Sequence, residues 1–301
     1  MSIRAGKIKA LTGIDSANKT CKGIQNLFKR VLKNGMHGLC FSTYEDGQGP
    51  GTQITEEQIR RRMKIIKPYT KWIRSFSCLD GNELIPRIAK EYGIKTLVGA
   101  WLGDDPEMNE KEISGLISLA KEGMVDIAAV GNEVIYRNDL TEDELLDYMH
   151  RVKNEIPDIP VGYVDAYYEF SHRPRITEAC DVILANCYPY WEGCSMEYSL
   201  LYMKDMYNSA VRAGNGKRVI ISETGWPSLG ELYHGAQPSE ENAIKYFINA
   251  QKWSEEEDIE MFYFSSFDES WKVGAEGDVG AYWGLWDKNE KLKYRSEIVL
   301  N

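Results

Sequence analysis

The 301-residue chain contains no uninterrupted apolar run approaching the roughly 20 residues that a membrane-spanning helix requires. Its basic N-terminal segment, Met1 to Asn34, has no apolar core of the kind a secretory leader carries, so the expectation is either a cytoplasmic location or a leader removed from this sequence. Histidine is scarce: His37, His150, His172 and His234 are the only four, and no two form an H-x-x-x-H pair. No C-x-x-C pair occurs among Cys21, Cys40, Cys78, Cys180, Cys187 and Cys194. A zinc site therefore lacks its usual ligand spacing. Several of these cysteines sit inside apolar runs, so buried free thiols are expected, with disulfides as the alternative that an even count leaves open. Neither a G-x-S-x-G elbow nor a Walker loop is present. Positive charge is also in deficit. Lys and Arg number 36 against 46 for Asp and Glu, a net charge of -10 that repels phosphate backbones and anionic lipid. Nucleic acid and membrane surfaces are thereby excluded as expected partners, whereas a neutral substrate is compatible.

Short apolar runs alternate with amphipathic stretches over most of the chain. The runs lie near Leu39–Thr43, Trp72–Phe76, Thr96–Ala100, Ile127–Gly131, Val161–Val164, Val182–Ala185, Val219–Ser222 and Phe262–Ser265. Continuous apolar character, as in Val219-Ile220-Ile221, marks parallel strands covered on both faces. Between them, Thr141 with Glu144 predicts a capping box ahead of a helix whose apolar face is Leu145, Leu146, Met149, Val152 and Ile156. Asn109 is expected to cap a helix ended by Gly123, and Thr55 with Gln58 to open another. Eight strands with helical crossovers from Gly38 to Asp287 fit a single (β/α)8 TIM barrel in the α/β class. A doubly wound sheet is the rival fold, without a G-x-G-x-x-G after the first strand to support it. Residues 1–37 read as an N-terminal extension, helical through Ile24, Leu27, Phe28, Val31 and Leu32 and packed on the barrel; residues 38–301 form the barrel itself.

Active sites of such barrels form at the C-terminal ends of the strands. Two glutamates fall there, Glu133 after the fourth run and Glu223 at the end of the seventh, and so face one mouth from roughly opposite walls. Paired carboxylates in one cleft suit glycoside hydrolysis, with retention if they stand about 5–5.5 Å apart and inversion if the gap admits water. A capping or salt-bridge role is the plainer reading for either glutamate alone. Six of the eight tryptophans (Trp101, Trp191, Trp226, Trp271, Trp283, Trp286) cluster at or beyond strand ends, where indole faces suit sugar C–H surfaces. Core filling competes as an account of Trp283 or Trp286. His150 reads as a solvated helix residue.

The stretch KRVIISETGWPSLG from Lys217 to Gly230 resembles the nucleophile signature of glycoside hydrolase family 17, the β-1,3-glucanases. Gly131-Asn132-Glu133-Val134 is similar to that family's acid/base segment, Asn186-Cys187-Tyr188-Pro189-Tyr190 to its sixth-strand loop, and Phe267 to Lys272 to its eighth-strand motif. The chain resembles the fungal and bacterial branch of the family more than the plant enzymes. The resemblance implies Glu223 as nucleophile, Glu133 as general acid/base, and Asn132 on the 2-hydroxyl of the reacting sugar. It further implies that Glu269, Trp271 and Lys272 line neighbouring sugar sites, that Tyr44 and Tyr188 lie near the reacting ring, and that Arg74 supports the nucleophile. Trp191 beside Glu192, an aromatic platform next to a polar anchor, would either hold an acceptor sugar or only bind substrate, and Trp226 joins them as a substrate-side aromatic. The expected function is retaining action on β-1,3-glucan or its oligosaccharides. A glucanosyltransferase using the same glycosyl-enzyme is the alternative, and a non-catalytic glucan-binding protein the rival class. Two carboxylates suffice for the reaction, so no metal or cofactor is implied. Members of the family are typically exported, which sets the resemblance against a cytoplasmic location.

Overall fold

A computed structural model describes residues 13, 20–274 and 276–294, with the side chain of Cys21 excepted. Eight parallel strands close on themselves in chain order: β1 (Met36–Cys40), β2 (Thr70–Ser75), β3 (Lys95–Ala100), β4 (Ile127–Asn132), β5 (Val161–Ala166), β6 (Val182–Asn186), β7 (Arg218–Thr224) and β8 (Met261–Tyr263). β8 pairs with β1 through Gly38 opposite Phe262 and Leu39 opposite Tyr263, completing a (β/α)8 TIM barrel. A Cβ at Gly38 would lie 2.5 Å from the Phe262 ring, so only glycine lets the closing strands approach there. β4, β6 and β8 are buried throughout, as their largely apolar sequences require, whereas β2 leaves Lys71 exposed and Trp72 half-buried. No helix among the described residues is long and apolar enough to cross a membrane.

The outer ring contains α2 (Glu56–Ile66), α3 (Leu84–Glu91), α4 (Pro106–Lys121), α5 (Glu142–Glu155), the short α6 (Glu169–His172) and α7 (Pro174–Ala179), α8 (Ser199–Gly214) and α9 (Glu240–Glu257). α5 carries the capping box: the Thr141 side chain accepts from Glu144 N while the Glu144 carboxylate accepts from Thr141 N. Thr55 likewise caps α2. Asn109 does not cap its helix. Asp105 does, accepting from Glu107 N at 2.9 Å, because Pro106 fits the first helical position and moves the start back one turn. Asn109 instead points its amide at Gly103, binding that residue's N–H and C=O at 2.8 Å each.

The N-terminal helix α1 (Cys21–Asn34) belongs to the ring itself. It packs on α9, with Phe28 fully buried against Phe247 and Tyr294 at ring separations of 5.1 and 5.3 Å. β8 is followed by loops and 3-10 turns among the described residues, so α1 occupies the gap between α9 and the turn that follows α2. β1 begins at Met36, directly after the Gly35 cap. Cys40, Cys78, Cys180 and Cys187 are buried free thiols, and Cys194 is a half-buried one.

Candidate active site

The two glutamates meet at the C-terminal mouth because each strand ends in an irregularity that turns its carboxyl inward. On β4 the register shifts between Ala129 and Asn132, Gly131 takes φ +82°, and Glu133 takes φ +53°. A glutamate in the left-handed region stores roughly 1–3 kcal/mol that the surrounding structure must repay. Here the Glu133 N–H bond to Val164 O at 2.8 Å helps hold it. On β7 the register shifts after Ile221, which brings Glu223 opposite Asn186 of β6.

Glu223 is almost fully buried. One carboxylate oxygen pairs with Arg74 Nη1, and Oε2 accepts from the Tyr188 hydroxyl at 2.8 Å. Arg74, at the end of β2, is itself 1% exposed. Its Nη2 donates to Asn132 Oδ1 at 2.7 Å, and its guanidinium lies 4.4 Å over the Phe76 ring. One buried cation thus binds both the carboxylate and the amide. Because Arg74 occupies Asn132 Oδ1, the Asn132 NH2 is the group left to act as a donor.

Glu133 has a different environment. It makes no ion pair among the described residues; its Oε1 accepts from Asn186 Nδ2 at 2.8 Å. The Ser222 hydroxyl donates to Asn186 Oδ1 at 2.8 Å, which fixes the amide so that its NH2 faces Glu133. Burial, followed by the negative charge of Glu223, pushes the Glu133 carboxyl up to about 7 against the opposing pull of Asn186. A further acid, Asp165 of β5, lies fully buried and is pushed to about 6 by that burial; it accepts from Tyr163, whose hydroxyl in turn accepts from Ile135 N. Asn186 and Asp165 are site residues to which the sequence motifs assign no role. A polar residue ending an apolar strand is the signal that marks both.

Around this centre the loops divide the remaining candidates. From β8, Trp271 Nε1 donates to Glu269 Oε1 at 3.3 Å, and Lys272 Nζ stands 3.4 Å from Glu269 Oε2 and 4.1 Å from the Phe264 ring centre. Tyr44, from the β1 loop, sets its ring edge-on to Trp271 at 5.7 Å. Trp191 lies in the β6 loop against Tyr190, Tyr233 and Trp283, with exposed Glu192 beside it. Trp226 departs from expectation. It is 1% exposed, sandwiched between Tyr190 and Tyr246, with its Nε1 bonded to Gln237 O at 3.0 Å. Proline follows it directly and turns the chain, so the indole supports the Tyr190–Trp191 wall from behind and offers no face to a ligand. Trp283 and Trp286 are likewise buried, whereas Trp101, Trp191 and Trp271 keep exposed surface.

Known proteins bear on this geometry. A family model described as "BtgE/BtgC glycoside hydrolase domain" matches residues 38–284. The chain is similar to a glucan 1,3-beta-glucosidase of Schizosaccharomyces pombe, 29% identical over 93% of this chain and 92% of the relative. A glucan 1,3-beta-glucosidase of Saccharomyces cerevisiae is 27% identical over 81% and 86%. Among solved structures, a glycoside hydrolase family 17 beta-1,3-glucanosyltransferase from Rhizomucor miehei superposes with a TM-score of 0.77 at 28% identity, covering 87% of this chain and 96% of that one. An active-site mutant of that enzyme, in complex with laminaritriose, matches equally well.

Proposed function

The chain belongs to the BtgE/BtgC glycoside hydrolase domain family, and from that premise we propose that it is a retaining enzyme of glycoside hydrolase family 17 acting on β-1,3-glucan. The observation that carries the mechanism is the contrast between its two carboxyls. Glu223 is paired with a guanidinium and a phenol, while Glu133 has no ion pair among the described residues, accepts from Asn186, and is pushed up to about 7. Environments that separate two acids in this way divide the roles of nucleophile and acid.

In the first step a Glu223 oxygen attacks the anomeric carbon while Glu133 gives its proton to the glycosidic oxygen. The carbon–oxygen bond breaks, a glycosyl ester forms on Glu223, and the leaving chain departs with a new hydroxyl. Esterification removes the Glu223 charge that had raised Glu133, so Glu133 becomes the base. It then takes a proton from water or from a sugar hydroxyl, whose oxygen displaces Glu223 and restores the original anomeric configuration. Asn132, its oxygen held by Arg74, would donate to the 2-hydroxyl of the reacting ring. Glu269, Trp271, Lys272 and Tyr44 would line sugar sites on the β8 and β1 side, with Trp191 and Glu192 on the β6 side.

The names of the relatives support a β-1,3-glucan substrate. Proton NMR of the first products from a β-1,3-gluco-oligosaccharide tests the mechanism. The β-anomer appearing first is the expected result, and the α-anomer first would overturn the retaining assignment. The half-exposed Trp191 beside Glu192 favours a second outcome, transfer to an acceptor sugar, which also agrees with the glucanosyltransferase neighbour. Mass spectrometry at low and high oligosaccharide concentration separates the two: products longer than the input mean transfer, shorter ones alone hydrolysis. Absence of turnover in the unmodified chain would favour a glucan-binding protein.

A further inference from the structure

Trp101, the first residue after β3, is 42% exposed, yet the loop bearing it is tied down from three sides. The Asn109 amide of α4 clamps Gly103 through both its N–H and its C=O. Arg137 Nη2 donates to Leu102 O at 3.0 Å. Leu102, between them, is fully buried. The Arg137 guanidinium lies 4.7 Å over the Trp101 ring and also donates to Asn132 O, the carbonyl next to Glu133, while its Nε donates to Asp139 Oδ2 at 2.7 Å. One cation thus joins the indole to the backbone of the strand end that carries the acid/base candidate. Isolated exposed aromatics are ordinary on a surface. This one stands at the C-terminal end of β3, with one face covered by a guanidinium that is itself hydrogen-bonded on three sides, so part of the ordering cost that a free side chain would incur on binding is already met.

We infer that Trp101 is a stacking platform for a glucan ring beyond those in contact with the two glutamates, on the wall of the cleft that carries Glu133. The ligand chemistry follows from the surface: a flat apolar face, without a cation free to attract an anion, in a strongly acidic chain, suits the C–H face of a neutral sugar. This inference rests on the glucan-active reading above and extends it by one subsite.

The test is a calorimetric titration of the full chain carrying Glu223→Gln, to prevent turnover, with β-1,3-gluco-oligosaccharides of increasing length. Adding Trp101→Ala should leave the shortest ligands unaffected and weaken the longer ones by about three- to tenfold. Trp101→Phe should restore most of that loss. Identical length profiles with and without the indole would overturn the inference. So would an equal loss at every length, which would mean that Trp101 acts only by seating Arg137 against Asn132. Failure of the Trp101-containing chain to bind at any length would instead overturn the glucan reading itself, and the subsite with it.

Discussion

Replacing Asn186 with alanine isolates the control of Glu133. Asn186 donates to the carboxyl at 2.8 Å, and the Ser222 hydroxyl holds its amide in that orientation. The bond favours the charged form of Glu133, so removing it moves Glu133 further above its present value of about 7. A hydrogen bond to a charged group contributes about 1.5–3 kcal/mol, and one pH unit corresponds to about 1.4 kcal/mol. Water entering the half-open mouth replaces part of the lost bond, so the lower figure applies and the expected displacement is roughly one pH unit. The sign is determined by the chemistry. On the proposed mechanism Glu133 is protonated to release the leaving group, so kcat/KM falls as pH rises through its ionisation, and that basic limb should move to higher pH. Asn186→Asp keeps an acceptor for Ser222 but sets a second carboxylate against Glu133, and should carry the limb further still. The assay is kcat/KM against pH on a β-1,3-gluco-oligosaccharide, with thermal unfolding to confirm that each variant folds. If activity falls in both variants while the basic limb stays in place, Glu133 is not the group titrating there and the assignment fails.

Other perturbations address separate parts of the structure. Tyr188→Phe removes the phenol that donates to Glu223 at 2.8 Å, and should lower kcat about tenfold to a hundredfold with little change in KM. Arg74→Met strands a buried carboxylate and should cost about 3–5 kcal/mol in thermal or denaturant unfolding. Adding Glu223→Gln to that variant should recover part of the loss, and a strictly additive double variant would refute the pairing. Phe28→Ala opens the joint between α1 and α9 and should cost about 3–5 kcal/mol. A negligible change in the unfolding midpoint would mean that α1 is not part of the cooperative core.

The two kinds of information differ in range. The eight strands were legible because a strand covered on both faces must be apolar along its length, a local requirement written into runs such as Val219-Ile220-Ile221. Helix starts were mostly legible for the same reason, since the Thr141 cap bonds within its own first turn. Asn109 and Asp105 offer two capping signals four residues apart, and Pro106 decides for Asp105. Closed-barrel topology then placed Glu133 and Glu223 at one mouth without any knowledge of their contacts. What the sequence by itself could not determine was every pairing across strands. Asn186 meets Glu133 from 53 positions away, Arg74 meets Glu223 from 149, and the buried position of Trp226 depends on Tyr246 in a later helix. The ring position of α1 is of the same kind, since an amphipathic face states that a helix is covered but not by what. Such contacts depend on strand register and on the small shifts at Asn132 and Ile221. Those shifts belong to the closed barrel, and so the environments that separate the Glu133 and Glu223 carboxyls belong to the tertiary structure.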